Sequence, residues 1–411
     1  MSNRVVIVGA GHAAGSVAAL LRQYGWEGEI VLIGEEAVAP YQRPPLSKAY
    51  LKDDADLDSL MLRPDSFYAE QSISLHLGTR VLAVDPAART VAFEGGGHLG
   101  YDALILATGS RARKLPVPGA DLKGLHELRS IQDAEGLRTA LAPGRQLAIV
   151  GAGYVGLEVA ASARAHGAEV VVIERESRVL ARVAAEPLSH FFEAWHRARG
   201  VEILTDAAVA AFEGDADGFV CGVRLADGRL IACDAALVGI GAIANDELAR
   251  AAGLACDDGV IVDLTACTSD PSIHAIGDVT RRPMPLYGNR MHRLESVPNA
   301  LEQAKQAACA LTGRPAPAPE VPWFWSDQYD LKLQIAGIAF DSDRLVVRGD
   351  MQAGRFSLCH LKGDRLVCVE ACNAPADFMA GKLLIGRGAR VDPDRLADAA
   401  LPLKTLEVPS A

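Results

Sequence analysis

Apolar and polar positions along this chain follow one scheme that is used twice. A run of β-branched residues, Val5-Val6-Ile7-Val8, enters a glycine turn, Gly9-Ala10-Gly11-His12-Ala13-Ala14, and small apolar residues of helical texture follow. Leu147-Ala148-Ile149-Val150 enters Gly151-Ala152-Gly153-Tyr154-Val155-Gly156 in the same way. Each turn is succeeded by a second apolar strand that ends in acid: Ile30-Val31-Leu32-Ile33-Gly34-Glu35 in the first case, Val170-Val171-Val172-Ile173-Glu174 in the second. The first unit closes on a buried strand and a small polar turn, Leu104-Ile105-Leu106-Ala107-Thr108-Gly109-Ser110. The second closes similarly, on Ala236-Leu237-Val238-Gly239-Ile240-Gly241. Residues 113–119, with Pro116 and Pro118, read as a crossover linker, and Pro315, Pro317, Pro319 and Pro322 mark another. Beyond it the texture changes. Leu345-Val346-Val347-Arg348 and Leu366-Val367-Cys368-Val369 suggest antiparallel strands. The predicted class is α/β: two Rossmann-like nucleotide-binding domains followed by a C-terminal α+β domain.

The turns have a chemical reading. Gly9 and Gly151 permit a tight exit from the strand. Gly11 and Gly153 let the backbone approach a pyrophosphate seated on helix N-terminal amides. Ala14 and Gly156 let helix and strand pack closely, and Glu35 and Glu174 can accept hydrogen bonds from ribose hydroxyls. Two such sites in one chain suggest two nucleotides brought together, usually a flavin and a nicotinamide.

Composition narrows the partners. The chain has 411 residues and a formal net charge of −11, which argues against a nucleic-acid binder. No apolar run reaches the length of a membrane span. A strand begins almost at the N-terminus, so no secretory signal is expected. Eight scattered cysteines form no CxxC, and no Cys/His set has zinc-like spacing, so no metal site is expected. Cys368 and Cys372 read as core thiols. A cytoplasmic location with reduced thiols is the expectation.

Three further segments are more specific than the glycine turns: Pro40-Tyr41-Gln42-Arg43-Pro44-Pro45-Leu46-Ser47-Lys48, Glu295-Ser296-Val297-Pro298-Asn299-Ala300, and Trp323-Phe324-Trp325-Ser326-Asp327-Gln328-Tyr329. With them the chain resembles, over nearly its whole length, the FAD-dependent NADH:ferredoxin reductases of the putidaredoxin reductase type. The resemblance implies a glutathione-reductase-like plan. An FAD-binding domain (residues 1–112 and 242–320) is interrupted by an NAD-binding domain (113–241), and a C-terminal domain spans 321–411. It implies that FAD is held by Gly9, Gly11, His12, Ala13, Ala14, Glu35, Arg43, Lys48, Val81, Thr108, Gly109, Arg129, Gly277, Asp278 and Val297. NAD would be held by Gly151, Gly153, Tyr154, Val155, Gly156, Glu174 and Gly241.

The implied chemistry is hydride transfer from nicotinamide to flavin N5, then single-electron transfer outward. Glu158 lies about one turn into the second fingerprint helix, and we expect it to pair with Lys48 beside flavin N5. Glu174 would favour NADH over NADPH by repelling a 2′-phosphate, with Arg175 beside it a counter-signal. Related disulfide reductases carry a redox cysteine pair after the first helix. Residues 41–51 hold no cysteine, so electrons must leave the flavin directly. Trp325 is the candidate on the exit side toward a [2Fe-2S] ferredoxin that serves an oxygenase. Such ferredoxins are usually acidic, so Lys305, Lys382 and Lys404 are candidate docking residues. A ferredoxin face must stay open, so a monomer is expected. The alternatives are an NADH-dependent flavoprotein serving rubredoxin, a quinone or ascorbate radical, and a redox-sensing binding flavoprotein. Two departures from the pattern stand out. Ala14 replaces a frequent glycine, and Ala244 replaces a frequent proline with no expected loss of activity.

Overall fold

A computed structural model describes residues 3–408. The chain divides into two compact units. Of the described residues, the first comprises 3–42, 58–111 and 243–324, and the second 43–57, 112–242 and 325–408. Residues 43–57, which carry Arg43 and Lys48, therefore cluster with the second unit.

The first unit is built on a five-stranded parallel sheet. Its order is Ile273–Ala275, Ala103–Leu106, Arg4–Val8, Glu29–Ile33, Ile73–His76. The unbroken apolar runs have a direct cause: both faces of this sheet are covered. Val5, Ile7, Ile30, Leu32 and Ile105 pack on one face with Ala14, Val17 and Leu21 of the His12–Gln23 helix and with Ala304 and Ala308 of the Val297–Leu311 helix. Val6, Val8, Val31, Ile33, Leu104 and Leu106 pack on the other with Val81, Val84, Val260 and Val279.

The second unit repeats the plan. Its parallel sheet runs Val201–Leu204, Glu169–Ile173, Gln146–Val150, Ala235–Val238, Leu125–His126. One face buries Ala148, Val150, Ile173 and Val238 against Phe212, Val220 and Val223 of a three-stranded antiparallel sheet. The C-terminal part is antiparallel, in the order Trp323–Gln328, Leu331–Gly337, Arg365–Cys372, Arg355–Lys362, Arg344–Asp350. The Pro375–Arg387 helix follows these strands. Alternation in Leu345-Val346-Val347-Arg348 is real but inverted in chemistry. The two exposed positions are Leu345 and Val347, and the buried Arg348 donates to Asp377 and to the carbonyls of Leu396 and Asp398. All eight cysteines are free, and Cys368 and Cys372 are buried in the core. Among the described residues, no helix is long and apolar enough to cross a membrane.

Candidate functional site

The two glycine turns differ in detail and agree in geometry. Gly9 has φ 113° and Gly151 φ 103°, a region that favours glycine. A Cβ on Gly9 would lie 2.2 Å from the Ala107 carbonyl oxygen, and one on Gly151 would lie 2.5 Å from that of Gly239. Gly11 and Gly153 are the N-caps of the following helices and offer no capping side chain. A Cβ at either meets nothing within 4 Å. The helix amides therefore face open space, as an incoming pyrophosphate requires. At the third position Gly156 is obligatory, since a Cβ would fall 2.2 Å from the Gly151 carbonyl oxygen. The first unit accommodates Ala14 there, fully buried in the sheet core.

In the first unit the second half of the site converges on the fingerprint. Gly277, with φ 80°, would place a Cβ 3.1 Å from Ala13. Its amide donates to Gln303 Oε1 at 2.8 Å, which ties the Gly277-Asp278 turn to the Val297–Leu311 helix. Ser296 caps that helix by accepting from the Asn299 amide. Asn299 accepts from the buried Arg282, which is also paired with Glu302. The Glu295–Ala300 motif is thus a helix start anchored from below, with Val297 half-buried at its first turn. Ser110 donates to Asp278 at 3.3 Å. Burial lowers the His12 pKa, partly offset by the charge of Asp278, and His12 Nδ1 is buried without a partner among the described residues. The Thr108-Gly109 turn is braced by Asn245, whose side chain donates to the Thr108 carbonyl and whose amide donates to that of Gly109. Asn245 escaped the sequence reading because an asparagine in a loop carries no periodic signal. Glu35 is exposed at the end of its strand, 3.8 Å from Arg80, and Val81 lies in the core.

In the second unit Glu174 does more than terminate a strand. Its Oε2 accepts from the Ala152 amide at 2.7 Å and its Oε1 from the Glu176 amide at 2.9 Å, so it shapes the glycine turn. Arg175 is turned to Glu176 at 2.8 Å. The loop after Glu174 is fastened back by Leu180, whose amide donates to the Ala152 carbonyl, and by Tyr154, whose hydroxyl donates to that of Val183. Burial and the charge of Glu370 raise the Tyr154 pKa well above its usual value. Val155 is exposed, and Gly241 has φ 110°. Arg43 donates to the Arg129 carbonyl at 2.5 Å, so these two candidates meet.

Lys48 and Glu158, separated by 110 positions, form an ion pair at 2.7 Å. Their side chains are 16% and 4% exposed. Ser47 donates to the same carboxylate oxygen at 2.5 Å, and Ser326 donates to the other at 2.5 Å. Trp325 is half-buried beside Ser326, on the opposite face of the strand. Lys305 pairs with Glu320 at 3.1 Å, Lys382 is half-buried, and Lys404 is exposed on the Leu403–Thr405 turn.

Two parallel sheets, each with an open helix N-terminus behind a glycine turn, define a two-nucleotide oxidoreductase. Residues 3–304 match the pyridine nucleotide-disulphide oxidoreductase family and residues 323–407 match the reductase C-terminal domain. The chain belongs to that family. It is 52% identical over 407 residues to the probable ferredoxin reductase CtmF of Castellaniella defragrans, covering 99% of both chains. It is 40% identical over 411 residues to the biphenyl dioxygenase system ferredoxin–NAD(+) reductase component of Paraburkholderia xenovorans, covering 99% of this chain and 98% of that one. Among solved structures it resembles the reductase in the covalent putidaredoxin reductase–putidaredoxin complex, with a TM-score of 0.96, 43% identity and 98% of each chain covered. The protein is an oxidoreductase that uses FAD and NAD(H).

Proposed function

We propose that this protein passes electrons from NADH through FAD to a [2Fe-2S] ferredoxin that supplies an oxygenase, and that it does so in the cytoplasm. The observation that carries the reading is the pairing of a half-buried Lys48 with the buried Glu158, in a stretch without a thiol. Where a disulfide reductase would need a redox cysteine pair, this chain presents a held ammonium group. FAD, when bound, supplies the conversion of one two-electron donor into two one-electron deliveries. The chain's own residues do the rest. The first unit's turn, with Gly11, His12 and Asp278, receives the FAD pyrophosphate and ribityl chain, and Glu35 the adenosine ribose. The second unit's turn receives NADH, with Glu174 setting its shape and repelling a 2′-phosphate. Lys48 stabilises negative charge on the reduced cofactor, and Glu158 orients Lys48. Lys305, Lys382 and Lys404 attract the acidic ferredoxin, and Trp325 lies on the exit side.

The names of the similar proteins support this acceptor class. NADH-driven bleaching of a [2Fe-2S] ferredoxin, run beside rubredoxin and a quinone under argon, tests it. Ferredoxin should be reduced fastest at equal concentration. Faster reduction of rubredoxin or quinone would reassign the acceptor.

A further inference from the structure

Glu158 is held by more than Lys48. Its Oε1 accepts from the fully buried Ser326 hydroxyl at 2.5 Å. Ser326 Oγ in turn accepts from Gln328 Nε2 at 3.1 Å, and Gln328 Oε1 accepts from His196 Nε2 at 2.8 Å. Ser326, Gln328 and His196 are all buried. The direction of every bond is fixed. Glu158, paired with Lys48, accepts the Ser326 proton. Ser326 Oγ therefore accepts from the Gln328 amide nitrogen, which leaves Gln328 Oε1 facing His196 and puts the ring proton on Nε2. Burial lowers the His196 pKa to about 4, so the ring is neutral at neutral pH. Its Nδ1 is buried without a partner among the described residues.

We infer that Ser326 and Gln328 are positioning residues: with His196 they form a one-way chain of buried donors that fixes the Glu158 carboxylate in the orientation that holds Lys48. The inference rests on the reading of Lys48 as the charge that acts on FAD. Three features set this chain apart from ordinary packing. Ser326 and Gln328 are two apart on one strand and so share a face, which presents two polar groups inward while Trp325 faces away. Each Glu158 oxygen has its own donors, Ser326 on one and Ser47 with Lys48 on the other, so rotation of the carboxylate breaks bonds on both sides. Ser326 cannot turn away without leaving a buried acceptor unmet, a penalty that exceeds the worth of an average hydrogen bond. The C-terminal domain thereby reaches a group in the nucleotide-binding helix Tyr154–Ala165.

The test is Ser326→Ala in the FAD-loaded protein, alone and combined with Glu158→Gln. Lys48→Ala serves as the reference. Two quantities are read: flavin reduction by NADH in anaerobic stopped flow, resolved into limiting rate and NADH Kd, and the midpoint potential of bound FAD by dye titration without NADH. For Ser326→Ala the limiting rate should fall about tenfold, equivalent to about 1.4 kcal/mol on the barrier. The NADH Kd should stay within about twofold, and the potential should move to more negative values, as in Lys48→Ala. In the Glu158→Gln background both effects should shrink to within about twofold, because the pathway runs through that carboxylate. Gln328→Leu should reproduce a smaller version of the same pattern and keeps the test valid if Ser326→Ala folds poorly. If Ser326→Ala and Gln328→Leu lower the melting temperature but leave rate and potential alone, the two side chains only pack. Equal slowing in the Glu158→Gln background also overturns the inference. A Lys48→Ala effect without a Ser326→Ala effect sinks the inference alone, whereas an inert Lys48→Ala sinks the reading of Lys48 and the inference with it.

Discussion

Gly153→Ala separates the stability of the second fingerprint from its binding of a nucleotide. Gly153 has φ −76° and ψ 179°, an extended backbone that alanine adopts freely. Its Cβ would meet nothing within 4 Å. The folded protein should therefore tolerate the methyl, and the loss of glycine freedom in the unfolded chain should even add about 0.4–1 kcal/mol of stability. The methyl would stand where the pyrophosphate approaches the helix amides. Crowding of that kind costs about 1–3 kcal/mol, which at about 1.4 kcal/mol per decade raises the Kd for NADH roughly 5- to 150-fold. Gly156→Ala reverses the ranking. Its Cβ would sit 2.2 Å from the Gly151 carbonyl oxygen, so the Tyr154–Ala165 helix must move and the melting temperature should fall. The assay is the NADH Kd from the concentration dependence of anaerobic stopped-flow flavin reduction, with differential scanning fluorimetry and FAD content as controls. Gly153→Ala should keep its FAD and its melting temperature while losing NADH affinity. An unaltered Kd in Gly153→Ala would refute the assignment of this turn to the pyrophosphate.

Other expectations follow from the same geometry. Lys48→Met leaves the Glu158 carboxylate buried without its cation but still bonded by Ser47 and Ser326, a loss smaller than the cost of breaking a fully buried pair, about 3–5 kcal/mol. It should slow flavin reduction and lower the denaturation midpoint, and adding Glu158→Gln should restore part of the stability. Glu174→Ala frees the Ala152 amide and removes the charge that repels a 2′-phosphate, so kcat/KM for NADH should fall and its ratio to that for NADPH should narrow. Charge reversal at Lys404 should raise the KM for ferredoxin more at low salt than at high salt, with Lys305, already paired with Glu320, giving the smaller change. The fall of the His196 pKa from 6.5 to about 4 sets a pH dependence. Its folded pKa is depressed, so the unfolded chain binds the extra proton. The stabilisation is complete above pH 6.5 and is lost on acidification toward pH 4, by about 3 kcal/mol at about 1.4 kcal/mol per unit. Stability against pH in urea titrations of wild type and His196→Gln should show the slope in wild type and a flatter profile in the variant.

What the sequence made legible follows physical rules of different reach. The glycine turns are local: strand exit, open N-cap and close packing are all satisfied within a few residues, so Gly9, Gly11, Gly151, Gly153 and Gly156 could be read directly. Unbroken apolar runs signalled sheets covered on both faces, as Val5 to Val8 and Leu147 to Val150 are. The pairing of Lys48 with Glu158 spans 110 positions and has no periodic signature. It came from a resemblance of motifs rather than from pattern. Ser326 and Gln328 were illegible for a related reason, and His196, on the Glu186–Arg197 helix, meets Gln328 across 132 positions. In an alternating strand polar residues read as the solvent face, yet here they turn inward to meet a carboxylate. Arg348 misleads in the same way, as a buried charge held by backbone carbonyls and Asp377. Glu174 was legible as a strand-terminal acid, but its hold on the Ala152 amide depends on the fold of the turn.

The most direct test of the proposed function is NADH-dependent cytochrome c reduction by the purified flavoprotein, with and without an adrenodoxin-type [2Fe-2S] ferredoxin from the same genome. A slow basal rate with large, saturable stimulation by ferredoxin is the predicted result. Prompt bleaching of the flavin by NADH with no ferredoxin-dependent stimulation would contradict it.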